Sequence, residues 1–298
     1  MTRNDFRFSH RLRVRWAEVD MQKIVFNAHY LMYFDTAISD YWRALGLPYV
    51  AAMAQFGGDL YMKKATLAYH GSAVFDDVLQ VALRCQRVGT SSITFSGAVF
   101  RGGAVLVTGE LVYVFANPAS QTSLPVPAAL RQLLAAFEAG ESTLAVSLGA
   151  WTAMQKQTAR LRTAVFVQEQ GIAADLEWDL ADLTALHAVA TNALGQVVGT
   201  ARLTRHATGI ARIGRMAVMR ELRGAGVGQQ LLSVLERAAG QRGDVGMVLH
   251  AQCSAQDFYA RHGYAPRGER FDDVGIAHIE MVKCLPKPQP STASLSQA

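Results

Sequence analysis

The chain has 298 residues but only three cysteines, Cys85, Cys253 and Cys284. That odd count without metal-ligand spacing excludes a disulfide framework and a thiolate zinc site, and reads as reduced thiols in a reducing compartment. No tract of His and Cys offers a metal site, so none is expected. Long apolar runs are missing too: nothing approaches the ~20 residues of a membrane span. The opening, MTRNDFRFSHRLRVRW, lacks the apolar core of a secretory signal. The expected location is the cytoplasm. Dense basic runs are absent. The formal net charge is +5, but Arg11, Arg13, Arg15, Lys63, Lys64, Arg84 and Arg87 are scattered and not interleaved with aromatics. Nucleic acid is therefore not an expected partner, and a phosphate-rich small ligand accounts for the modest bias equally well.

What is present suits a globular protein. Hydrophobic residues make up 50% and charged residues 18%, and the length allows two domains with separate cores. Residues 11–18 alternate like a half-buried strand. Across 27–45, Tyr30, Tyr33, Phe34, Ala37, Tyr41 and Leu45 recur at helical spacing, and Gly46 and Pro48 stop the helix. Strand-like segments follow at 60–69, 78–88, 92–100 and 105–115, with turns at Gly89 and Gly102-Gly103. A loop rich in Pro, Ser and Thr leads to a short amphipathic helix at 128–139 that opens after Pro127. Residues 140–147 are small and polar and read as a junction.

Beyond it helical and strand patterns alternate. A helix is predicted over 161–169, a hairpin over 187–193 and 197–203, a strand over 212–219 and a strong helix over 226–241. A buried strand follows at 245–252, then a short helix at 255–262 and a closing strand at 278–284. The tail from Pro286 reads as disordered.

Asp20 stands in the loop between the first strand and the first helix, whose unpaired N–H groups carry partial positive charge. Such a carboxylate is often no more than a cap or turn residue. It also suits thioester hydrolysis: the donors hold the carbonyl oxygen while the carboxylate attacks or activates water. Glu18-Val-Asp20, Phe26-Asn27-Ala28-His29-Tyr30-Leu31, Phe34-Asp35-Thr36-Ala37, Arg87-Val88-Gly89-Thr90-Ser91-Ser92 and Pro125-Val-Pro127 together resemble the 4-hydroxybenzoyl-CoA thioesterase-like hotdog family. The resemblance implies that Asp20 is the catalytic carboxylate and that the backbone N–H at Asn27 polarises the thioester. Glu18, His29 and Tyr30 are lesser candidates. It also implies a homodimer or homotetramer formed through this domain, with sites at the interface. Gln22-Lys23 stand where many relatives have two glycines, and Asn27 where many have His.

The second constellation is Arg223-Gly224-Ala225-Gly226-Val227-Gly228, between a strand and a helix. Glycines there let the backbone approach a phosphate at the helix N-terminus, and Arg223 adds charge-assisted bonds. The bland reading is a plain turn. A dinucleotide loop is disfavoured, because the glycines do not spell G-x-G-x-x-G. Gln252, Ala255, Tyr259 and Gly263-Tyr264 follow at a distance that, with the loop, resembles the GNAT N-acetyltransferases. That resemblance implies that Arg223, Gly224, Ala225, Gly226, Val227 and Gly228 hold the CoA pyrophosphate, with Gln252 and Ala255 beside them. Backbone groups of Met216, Ala217 and Val218 would bracket the acyl carbonyl and pantetheine, and Tyr259 would protonate the leaving thiolate; its bland reading is a core aromatic packed beside Phe258. Arg162-Thr-Ala-Val-Phe-Val-Gln-Glu169-Gln170, Glu177-x-Asp179-x-x-Asp182, His187 and the segment from Phe271 to Met281 are similar to one GNAT branch. They make Glu169, His187, Asp273 and His278 candidates for the acceptor pocket.

The expectation is therefore an α+β chain: a hotdog domain at 1–140, with an antiparallel sheet around a central helix, a linker at 141–146, and a GNAT domain at 147–285, with a mixed sheet and flanking helices. The tail is 286–298. No cofactor is tightly bound; acetyl-CoA or another acyl-CoA is substrate, and an unidentified amine is the acceptor. The leading reading is two activities, hydrolysis and transfer. One alternative keeps only the transferase active, over a hotdog scaffold. Another is a non-catalytic acyl-CoA sensor with a protein partner.

Overall fold

The structure is a computed structural model that describes residues 1–286, so the expected tail, Pro286 apart, lies outside the described residues. The chain divides into two compact units, Met1–Leu144 with Asn192–Leu194, and the remainder. Among the described residues no helix is long and apolar enough to cross a membrane.

In the first unit, strand β1 (Phe8–Arg13) precedes helix α1 (Asn27–Ala44), helix α2 (Tyr49–Phe56) and strands β2 (Asp59–Tyr69), β3 (Val78–Val88), β4 (Ser92–Arg101) and β5 (Ala104–Ala116). The strands pair antiparallel in the order β1-β3-β4-β5-β2. Every apolar position that set the helical period of α1 is buried: Tyr30, Tyr33, Phe34, Ala37, Tyr41 and Leu45. Gly97 shows how closely α1 meets the sheet, because a Cβ there would lie 2.4 Å from the Phe34 ring. Helix α3 (Ala128–Glu138) adds Leu130, Leu133, Leu134 and Phe137 to the same core.

The strand expected over 11–18 ends at Arg13, and Trp16–Glu18 is a 3-10 turn. The Glu18 carboxylate closes that turn by accepting from the Arg15 backbone N–H at 2.7 Å and its Nε at 2.7 Å. A local side-chain bond of this kind competes with strand geometry.

The second unit runs β6 (Leu144–Ala150), α4 (Trp151–Arg162), a π-helical continuation (Thr163–Glu169), α5 (Ala174–Glu177), β7 (Leu186–Asn192), β8 (Val197–Ala207) and β9 (Ile210–Val218). It continues with α6 (Val227–Gln241), β10 (Gly246–Gln252), α7 (Gln256–Arg261), β11 (Ala265–Asp273) and β12 (Ile276–Cys284). The strand order is β11-β12-β10-β9-β8-β7-β6. The β9–β10 pair is parallel, while β7–β8, β8–β9, β10–β12 and β11–β12 are antiparallel, so the sheet is mixed.

Two expectations are corrected here. The junction at 140–147 is not bare chain, because Leu144–Ala150 is strand β6. The helix expected from 161 begins ten residues earlier, at Trp151, since its buried side includes the polar Thr158 and Arg162 and so shows no apolar period. Strand β11 went unforeseen for a related reason: at the sheet edge, every side chain but Phe271 is exposed and nothing alternates.

The feature that shapes the second site is a divergence. β9 pairs with β10 only over Ile210–Ile213 against Gly246–Leu249. β9 runs on to Val218 and β10 to Gln252 without pairing each other again. The two strands splay, and the β10-facing backbone of residues 214–218 is left without a strand partner among the described residues.

Candidate functional site

In the first unit, a small closed loop carries Asp20. Its backbone N–H donates to Ile24 O at 2.9 Å, Lys23 N–H donates back to Asp20 O at 2.9 Å, and a bridge joins Val19 to Val25. Phe26 N–H then reaches Glu18 O at 2.9 Å, so the segment ending at Asp20 and the start of α1 lie side by side. Asp20 is half-buried, and its Oδ1 accepts from Gln22 N–H at 2.8 Å. No side chain caps α1, and the Asn27 and Ala28 amides have no acceptor among the described residues. The Asn27 carbonyl accepts from the Tyr69 hydroxyl at 3.1 Å.

The lesser candidates have structural partners. Burial raises the Glu18 carboxyl, but the Arg15 N–H, the Tyr33 hydroxyl at 2.8 Å and the Arg15 guanidinium outweigh it, so the group stays ionised below the usual range. The Tyr30 hydroxyl accepts from Ala73 N–H at 2.9 Å inside the core. His29 is half-buried, edge-on to Phe26, with Nδ1 unpartnered among the described residues. Trp16, Met21, Phe26, Met32, Tyr69 and Phe75 surround this region as exposed apolar side chains.

In the second unit, β9 leads through a 3-10 turn (Arg220–Leu222) into Gly224 and Gly226, with φ of +84° and +85°, and then into α6. Only glycine holds such φ values without strain. No side chain caps α6, and the amides of Gly226, Val227 and Gly228 have no acceptor among the described residues. These orphan donors at a helix start are suited to phosphate oxygens.

Arg223 does not stand free beside them. Its Nη1 and Nη2 donate to the two oxygens of Glu169 at 2.6 and 2.7 Å, and its Nε donates to Val218 O at 3.2 Å. The Arg223 guanidinium holds the Glu169 carboxyl below its usual range. Glu169, expected in an acceptor pocket, therefore sits on the arginine beside the glycine turn.

Where β9 and β10 part, a cavity of about 590 Å³ opens. Met216, Gln252, Ala255 and Tyr259 line one part of it, and Asp273 and His278 another. Gln252 Nε2 donates to Gln170 Oε1 at 3.0 Å. The Tyr259 ring is buried against Phe258 and Tyr264, and its hydroxyl lies 3.7 Å from Met216 Sδ. Burial pushes this phenol up to about 12, so it keeps its proton at neutral pH. A bulge between β8 and β9 falls at residues 215–216, and Arg215 takes a φ of +49°, strained for a non-glycine residue. His278 Nδ1 lies 2.8 Å from Ile276 O. A carbonyl only accepts, so the proton is on Nδ1 and Nε2 is the bare nitrogen of the neutral ring.

His187 does not reach the cavity. It is fully buried, stacks near Trp151 and hydrogen-bonds through Nε2 to Asp182 O at 2.9 Å. It belongs to a buried ion network that the sequence only hinted at through Glu177, Asp179 and Asp182. Arg162 bonds Glu177 and reaches Asp182 at 2.8 Å. Arg202 bonds Asp179 at 2.6 Å and Asp182 at 2.8 Å. Arg215 lies 3.6 Å from Glu177 and 3.4 Å from Asp179. Burial raises Glu177 despite Arg162, whereas at Asp182 the two arginines overcome burial and lower it. Sequence reasoning missed Arg212 and His250, which also line the cavity. Their contact spans neighbouring strands, and no local spacing marks it.

Among known families, residues 14–134 match the one described as "Thioesterase-like superfamily", and residues 151–285 the one described as "Acetyltransferase (GNAT) domain". The "Uncharacterized N-acetyltransferase YjcF" of Bacillus subtilis (strain 168) is 37% identical over 41% of this chain and 87% of that protein. A protein named "Putative esterase" from Aquifex aeolicus (strain VF5) is 28% identical over 40% of this chain and 91% of its own length. The crystal structure of Escherichia coli ElaA aligns at 29% identity and a TM-score of 0.43, covering 47% of this chain and 99% of that one. Among the described residues, no group of three or more His, Cys, Asp or Glu could hold a metal ion.

Proposed function

We propose that this chain, which belongs to the GNAT acetyltransferase family through residues 151–285 and carries a thioesterase-like domain over residues 14–134, hydrolyses acyl-CoA with one unit and transfers acyl groups to an amine with the other. Hydrolysis is assigned to residues 1–140 and transfer to 147–285. The observation that carries the reading is the divergence of β9 from β10 beside the bare amides of α6 and the Tyr259 phenol.

In the transferase half, the amides of Gly226, Val227 and Gly228 hold the pyrophosphate, and the edge of Met216, Ala217 and Val218 that faces away from β8 brackets the pantetheine and acyl carbonyl. The amine nitrogen attacks the thioester carbon, and His278 Nε2 accepts the amine proton. The C–S bond breaks, and the Tyr259 hydroxyl gives its proton to the leaving thiolate. Transfer of the proton held by His278 to the phenolate, through solvent, restores both groups. In the hydrolytic half, the Asn27 amide polarises the thioester carbonyl, and Asp20 supplies the oxygen nucleophile directly or by deprotonating water. The second copy needed to complete that site pairs along β2, an eleven-residue edge strand whose outer side is open.

A second reading keeps the transferase and leaves the first unit as an oligomeric scaffold. It is favoured by the loop 20–24, where Lys23 holds a φ of +63° and Gln22 N–H occupies Asp20 Oδ1. Thiol release from a panel of acyl-CoA thioesters, with and without amines, separates the readings. The bifunctional reading expects amine-independent release that Asp20→Asn abolishes and amine-dependent release that Tyr259→Phe abolishes. Absence of amine-independent release leaves the scaffold reading, whereas release unchanged in Asp20→Asn overturns the assignment of hydrolysis to Asp20.

A further inference from the structure

Three arginines of the cavity region, Arg162, Arg202 and Arg215, are matched by the carboxylates of Glu177, Asp179 and Asp182. Arg212 is not. It is half-buried on the cavity wall, and among the described residues its one side-chain partner is His250, with Arg212 Nη2 2.9 Å from His250 Nδ1. A guanidinium only donates, so Nδ1 accepts and the neutral ring carries its proton on Nε2. Burial and the Arg212 charge push the His250 imidazole down, which agrees with that assignment. The carboxylate nearest the ring, Glu280, lies 3.8 Å from Nε2 and is held by Arg267 at 2.5 Å. Arg205, near the end of β8, pairs with Ala211, so its side chain leaves the sheet on the face opposite Arg212 and Arg212 stands as the unmatched cation of this wall.

We propose that Arg212 binds an acidic group on the amine acceptor, so that the substrate of the transferase is an amino acid or another amine bearing an anion. This rests on the transferase reading of the cavity. The exposed carboxylate of Asp273 also lines the cavity but forms no ion pair with Arg212 among the described residues. The donor's phosphates do not account for Arg212. Six residues of strand separate it from Val218, roughly 20 Å at ~3.3 Å per residue, on the side away from the loop Gly224–Gly228. Four residues separate it from Met216, roughly 13 Å on the same basis. An extended arginine side chain covers part of that span, so the acid lies several bonds from the nucleophilic nitrogen. An ω-amino acid fits this spacing better than an α-amino acid.

The probes are 5-aminopentanoate, the corresponding aminoalkyl phosphate and uncharged pentylamine, each with acetyl-CoA and the full chain. The parent is expected to favour one of the two anionic amines over pentylamine by about tenfold or more in kcat/KM. Which anion wins distinguishes a carboxylate from a phosphate substrate. Arg212→Gln should raise KM for the anionic amine by about that factor while leaving pentylamine and acetyl-CoA unchanged, and Arg212→Lys should restore part of the loss. Calorimetric titration of the same amines into CoA-loaded protein reads the acid site without turnover. Arg212-dependent binding with no transfer to any amine would sink the transferase reading and keep the acid site. No preference for anionic amines, equal losses for all amines, or a loss confined to acetyl-CoA would overturn the proposal.

Discussion

Arg223 and Glu169 form a two-pronged ion pair, with nitrogen–oxygen distances of 2.6 and 2.7 Å, beside the glycine turn that opens α6. Both side chains are partly exposed. The carboxylate occupies the nitrogens that a phosphate would use, and it partly cancels their charge. Glu169→Gln should therefore tighten CoA binding, by about threefold, the size of an exposed ion pair. Arg223→Gln should weaken it by about tenfold or more. Calorimetric titration with CoA checks both directions. Equal weakening in the two variants would mean that Glu169 serves only to position Arg223.

His278 presents Nε2 as its bare nitrogen because Nδ1 donates to Ile276 O. If it takes the amine proton as proposed, it should contribute about a hundredfold to transfer at neutral pH. His278→Gln should lose that factor and recover as pH rises, because free amine then replaces the missing base. A pH profile of kcat/KM parallel to that of the parent would show that His278 only shapes the pocket.

The buried imidazole of His187 gives acid sensitivity to the second unit. Burial pushes it below its ordinary 6.5. Between 6.5 and that lower value the unfolded chain binds more protons than the folded one. Stability should therefore fall as pH drops below 6.5. His250 is lowered likewise and acts in the same direction, whereas the raised Glu177 opposes both above its ordinary 4.5. His187→Gln should accordingly reduce the slope without abolishing it. Hydrogen exchange of the β7 amides between neutral and mildly acid pH measures this, and an unchanged slope contradicts it.

Exposed Ala65 sits near the middle of β2, on the edge proposed to pair with a second copy. A carboxylate there would face its symmetry mate or a near neighbour, and like charges across a strand pair are destabilising. Ala65→Asp should lower the sedimentation mass by half or more and reduce acyl-CoA hydrolysis with it. An oligomer of unchanged mass would place the interface elsewhere.

Much of this was legible in the sequence where one element carries its own pattern. The six apolar positions of α1 are all buried, and the strands at β2 to β5 lie within a residue or so of their expected bounds, because alternation and turn glycines are local signals. The loops around Asp20 and Gly224–Gly228 were visible for the same reason. Contacts built across the fold were not. Arg162 meets Glu177 and Asp182 fifteen and twenty residues away, and Arg212 meets His250 thirty-eight residues away on the neighbouring strand. His187 read as a pocket residue because burial behind Trp151 leaves no mark on spacing. Strand β11 was hidden because an exposed edge does not need alternation.

The central claim is that two separate sites act on acyl-CoA, one through Asp20 and one through Tyr259. The most direct test is a four-way comparison of thiol release by the parent, Asp20→Asn, Tyr259→Phe and the double variant, each with and without amine. Asp20→Asn should cut amine-independent release by about a hundredfold and spare the amine-dependent part. Tyr259→Phe should do the reverse, with the double variant losing both. Loss of both activities in either single variant, or of neither in the double variant, would contradict it.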